Sequence, residues 1–355
     1  MKGTTLTLFT LLVVGFSSVL EAMDWTHPWQ EPQSAADAGN SSDEYAWRVF
    51  VALNWPVRGD TPAPDQRGTL AMQSATVWES WSSANDIFRP DGRDPGPWRC
   101  GDTVVAASDS ATPCSARTTR SEAAVPIDSS RFEAFSARDL PNLQRVQNGK
   151  MVPVKDPLAS APRLTEIHMN RPGYEFIRTR GLYNTEGQLR ALDEHTAIEF
   201  PVGTKEVKAK WRIITENERS RYHTLTVKLT DGTERLYGLT ALHVVTKDLP
   251  TWFWATFEHI DNPQLPGSDG WQAPSRDTFA CGPKSTECER APRGIGLEGT
   301  VWQNYRLRGT LTSFVDSSGR PLLLANSELE AGMQTTASVY WASSGSSSAR
   351  EPPVP

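Results

Sequence analysis

Several things are scarce in this 355-residue chain, and each scarcity excludes a class of protein. Cysteine occurs four times, and none precedes Cys100, so an N-terminal lipid-modified cysteine is ruled out. Lys and Arg total 36 against 42 Asp and Glu, for a net charge of −6. With no basic stripe or polybasic cluster, nucleic acid is excluded as the expected partner. Beyond the first twenty or so residues there is no run long and apolar enough to cross a bilayer. The chain has no G-x-S-x-G, H-E-x-x-H, P-loop or G-x-G-x-x-G, so no familiar catalytic machinery announces itself. Hydrophobic residues make up only 38 %. A core of ordinary size is therefore diluted by long polar loops.

What is present begins with an export signal. Lys2 precedes an apolar stretch, Leu6 to Leu20, and Ala22 offers a small residue for cleavage. Residues 1–22 read as a signal peptide, 23–43 as a mobile arm, 44–340 as a single α+β domain and 341–355 as a disordered tail. The expected location is the periplasm or the exterior. In that oxidising setting Cys100 with Cys114, and Cys281 with Cys288, read as two local disulfides that staple loops. Neither pair has C-x-x-C spacing or a histidine beside it, which argues against zinc.

Tyr45 to Trp55 carries Trp47, Phe50, Val51 and Trp55 at helical spacing, and residues 75–88 repeat the pattern through Val77, Trp78, Trp81, Ala84 and Phe88. Aromatic stripes of this kind are core. Thr185 and Gln188 form a capping box that predicts a short helix over 186–194, and Asn326, Ser327 and Glu330 cap another. From about 196 to 260 the chain turns to strands. Thr196 to Phe200 opens them, Glu206 to Ile214 alternates strictly, and Asp231-Gly232 marks a hairpin. Residues 237–246 and 251–260 follow, and 301–314 adds one more. The expected fold is α+β: an antiparallel sheet over about 196–260 plus 301–314, with packed helices and long disulfide-stapled loops.

Candidate site residues are few. His243 and His259 lie on successive strands and are the pair to test for a metal or heme. A turn near Asp248 to Pro250 places His243 closer to Phe257 than to His259, and this weakens a shared site. Lys208 and Lys210, beside Trp211 and Arg212, read either as a solvated strand face or as a basic edge for an anionic group. Glu194-His195, His27, His168 and His223 read as solvated or structural residues. Glu199, Glu206 and Glu258 are the carboxylates for a hydrolase, but nothing spaces them as a pair. Thirteen tryptophans leave open an aromatic cleft for carbohydrate or another planar ligand.

The blocks Trp47 to Pro56, Val77 to Trp81, Glu206 to Arg212 and Trp252 to Asn262 resemble those of an exported bacterial cytochrome c-like family. Most of residues 44–340 share the resemblance. It implies a heme c cofactor, a redox partner and an electron-transfer ancestry; the candidate cofactor-binding residues remain Lys208, Trp211, His243, His259 and Trp254. Members typically continue from the Leu324-Ala325-Asn326 region into C-x-x-C-H. Here Thr336 to Ser344 contains neither Cys nor His, so covalent heme attachment has no site there. Loss of the motif and an out-of-frame end both account for this. A small-molecule ligand is the other expected partner; enzymatic activity, oligomeric state and catalytic residues are left open.

Overall fold

The computed structural model describes residues 25–32, 38, 41–58, 63–98, 164–228, 234–262, 277–281 and 290–313, together with the backbone of strands at 119–121, 144–147 and 150–153. The expected signal peptide, the first cysteine pair, Cys288, the helix expected near Asn326 and the expected tail lie outside these residues.

The centre of the fold is a long strand, β8 (Glu234–Thr246). On one side it pairs antiparallel with β6 (Lys205–Ile213) over almost the whole of that strand. On the other it is shared: its first half pairs with β7 (Thr224–Lys228) and its second half with β9 (Phe253–His259). The sheet then extends through β10 (Tyr305–Leu311) beyond β9, and through β5 (Leu164–Met169) and β1 (Ser82–Ser83) beyond β6. A short strand, β2 (Thr119–Ser121), joins β7 in parallel. A separate hairpin is formed by β3 (Gln144–Gln147) and β4 (Lys150–Pro153). The α+β class and the antiparallel character agree with the sequence pattern.

Helix α1 (Ser42–Leu53) lies against one face of the sheet, with nine of its residues buried. A helix apolar around most of its circumference belongs inside a core. The Phe50 ring meets Phe257 at 4.4 Å and Tyr45 meets Phe253 at 4.7 Å. Fully burying side chains of this size stabilises by roughly 1.5–3 kcal/mol each. Residues 25–32 dock beside α1: Trp25 stacks on Phe279 at 5.9 Å, and Glu31 pairs with the buried Lys205 at 3.0 Å.

Four local expectations are corrected. Residues 75–88 are not one helix but a 3-10 turn (Trp78–Ser80), β1, and the short helix α2 (Ala84–Ile87). Glu79 explains the break: it accepts from the Thr76 N–H and hydroxyl, tying the chain into a local turn, and Ser83 with Asp86 then caps a new start. Thr196 to Phe200 is irregular and largely exposed, not a strand. The run of longer sheet strands instead starts at β5, whose Leu164, Glu166 and His168 face the core. The pattern hid this strand because two of its inward residues are polar. Helix α3 (Arg171–Thr179) follows, with Pro in its first turn, and α4 (Thr185–Asp193) comes next. The cap of α4 is Asn184, whose side chain accepts from the Gly187 N–H at 2.9 Å, while Gln188 donates to the Leu182 carbonyl. A last short helix, α5 (Thr278–Cys281), is capped by Asp277.

Candidate functional site

The pleat of the sheet sorts the candidate residues into two sets. On the face under α1 lie Val207, Ala209 and Trp211 of β6, with Phe253, Phe257 and His259 of β9. The opposite face carries Glu206, Lys208 and Lys210 of β6, His243 of β8, Trp254, Thr256 and Glu258 of β9, and Arg306 of β10. Lys208 stands directly across from His243, and His243 across from Thr256. Side chains so opposed are about 5 Å apart at Cβ, and the diagonal neighbour Trp254 is about 7 Å away. Three of the five proposed binding residues, Lys208, His243 and Trp254, therefore share one polar face. Trp211 and His259 are on the other.

His259 and His243 do not form a joint centre. His259 is fully buried. Its Nδ1 accepts from the Asp261 N–H at 3.1 Å, so its proton sits on Nε2, which donates to the Arg221 carbonyl at 3.1 Å. The ring stacks on Tyr222 at 3.8 Å. Burial is the main cause that pushes its pKa down to about 4. Both nitrogens are spent, and the residue locks the end of β9 to the turn before β7. Among the described residues, no three His, Cys, Asp or Glu side chains are grouped to hold a metal.

The polar face is rich in buried charge. Glu258 is completely buried and receives Arg306 at 2.8 Å and Arg308 at 3.0 Å. A bulge between Leu307 and Gly309 allows both arginines to reach it from one strand. Toward β5 the face opens: Glu206, Lys208, Lys210 and Trp254 are half-buried, and Lys210 donates to Thr165 Oγ1 at 3.0 Å. Burial is the first cause raising the Glu206 pKa, with Lys208 opposing it. The half-buried part of this face carries Lys208 and Lys210 beside Glu206, while the buried Arg306 and Arg308 are taken up by Glu258.

The tryptophans are spent differently. Trp47, Trp55, Trp78, Trp81, Trp211 and Trp302 are buried, and Trp25, Trp29, Trp98, Trp252 and Trp254 are half-buried; none of those described is exposed. Buried indole N–H groups find partners inside: Trp47 on Asp277 at 2.7 Å, Trp78 on Asn54 at 3.0 Å, Trp211 on Glu166 at 3.1 Å. The described residues thus offer no exposed aromatic cleft.

Nor do the carboxylates pair. Glu199 is exposed and bound to Lys247 at 2.6 Å. Glu206 and Glu258 sit two strands and four residues apart, about 15 Å by strand geometry. One acidic–basic pair that the sequence did not reveal is Glu79 with His223, 2.9 Å apart and buried between Trp211 and Trp302. Its partners are 144 residues apart in the chain, beyond any local pattern. His168, on the same face, is held by the Trp81 carbonyl at 3.1 Å.

A heme c does not fit the described residues. Cys281 is disulfide-bonded and no described cysteine is free. His259 has no nitrogen left for iron, and His243 is on the other side of the sheet. No family model, curated protein or solved structure matches the chain.

Proposed function

We propose that this chain is an exported binding protein, related to the cytochrome c-like family but without heme c, that takes a planar, carboxylate-bearing ligand on the polar face of its sheet. The observation that carries this is the grouping of Lys208, His243 and Trp254 on one face, with Lys210 half-buried beside them. Lys208 and Lys210 receive the carboxylates at the half-buried β5–β6 side, and Trp254 supplies a flat apolar wall. His243 lines the face without ligating a metal. Electron transfer belongs to the ancestry that the sequence blocks imply, and to any form of the chain carrying C-x-x-C-H. Export is supported by the oxidised state of Cys281, since disulfides persist in oxidising compartments. On this reading Cys281 pairs with Cys288, and Cys100 with Cys114.

The test is a pair of titrations of the purified chain, one with metal-free protoporphyrin IX and one with hemin. Saturable binding of both, with dissociation constants within about threefold, is expected, because the recognised features are the plane and the carboxylates rather than iron. Binding of neither overturns the proposal. So does binding of hemin alone with a Soret band lost in His243→Ala, which would make the face an iron site.

A further inference from the structure

A second site lies away from the polar face, between α3, α4 and the irregular segment after α4. A pocket of about 220 Å³ is lined there by Phe176, Leu182, Ala191 and Ile198 on its apolar walls and by Arg180 and Arg190. Neither arginine has an ion-pair partner among the described residues. Arg180 sits over the Phe176 ring at 5.2 Å. Arg190 is held close by the turn before its helix: its guanidinium is 2.9 Å from where a Cβ on Gly181 would stand. Gly181 has φ +68°, so glycine serves both the left-handed turn and the space. Gly187 brings the helix itself in, since a Cβ there would lie 1.7 Å from the Gly181 carbonyl oxygen. Glu194 is the one acidic lining residue, leaving one net positive charge.

We infer that this pocket binds a small aromatic carboxylate, whose ring fills the Phe176–Leu182–Ile198 walls and whose carboxylate is forked between Arg180 and Arg190. Guanidinium pairs take carboxylates with directed, charge-assisted hydrogen bonds. The volume is below the range common for drug-sized ligands, which limits the guest to about a single ring. The inference does not depend on the polar-face reading.

Phenylacetate is the probe, titrated into the isotopically labelled full chain and followed by amide chemical shifts. Saturable shifts at Arg180, Arg190, Ala191 and Ile198 are expected, and the dissociation constant is read at these residues. Arg180→Glu with Arg190→Glu should weaken the binding read at Ala191 and Ile198 about tenfold or more. Both arginines are exposed, so the variant fold is expected to survive. Phenylacetamide, equal in shape but uncharged, gives an independent check on the unaltered chain. No saturable shift with phenylacetate, or equal binding of the amide, overturns the inference.

Discussion

His195 has φ 51°, the left-handed region, and among the described residues it is the non-glycine residue found there. It closes α4: its N–H donates to Leu192 and the next N–H, of Thr196, to Ala191. This double closure is where helices favour glycine. His195→Gly should therefore raise stability by about 1 kcal/mol, read as an increase in the denaturation midpoint at unchanged slope. His259 supports a second prediction. Its native pKa is depressed to about 4 from an ordinary 6.5. Below 6.5 the unfolded chain takes up a proton that the native chain refuses until about pH 4. The stabilisation is whole above 6.5 and is lost as pH falls toward 4, by about 3 kcal/mol. Buried Asp277 acts the other way: burial raises its pKa to about 6, so its ionisation costs native stability as pH rises from about 4 to 6. Comparison with a variant isolates the histidine. The stability gap between the natural chain and His259→Gln should narrow by about 3 kcal/mol from pH 7 to pH 4, measured by urea titration at each pH.

At the scale of elements, legibility followed how local the cause was. Helix α1 was readable because its aromatic stripe is continuous, and β6 because Val207, Ala209 and Trp211 alternate with charges. β5 was not, because Glu166 and His168 are core residues satisfied by Trp211 and by the Trp81 carbonyl, contacts made across the sheet. The Arg306–Glu258–Arg308 cluster was equally hidden, since Arg306 and Glu258 are 48 residues apart in the chain and meet through β9–β10 register. That cluster fixes the pairing of the two strands. Removing its central charge takes away the carboxylate that both buried guanidinium groups meet. Glu258→Gln should cost about 3–5 kcal/mol of stability in denaturant titration, far more than a change at an exposed ion pair such as Arg219–Glu216. Of the candidate site, Lys208, His243 and Trp254 were readable as residues, but their shared face depends on a turn register that the sequence placed one residue off, Phe257 instead of Thr256.

At the scale of the molecule, an acidic chain of net charge −6 carries Lys208 and Lys210 half-buried on one sheet face. A local positive field on an otherwise negative protein draws anions to one place and repels them elsewhere, and its reach shrinks with salt. The central claim is that this face, through Lys208 and Lys210, recognises carboxylates. The measurement that tests it most directly is the affinity of the Lys208→Glu, Lys210→Glu double variant for protoporphyrin IX, beside that of the natural chain. The account predicts weakening of about tenfold or more, with circular dichroism unchanged. Affinity equal to that of the natural chain would contradict it.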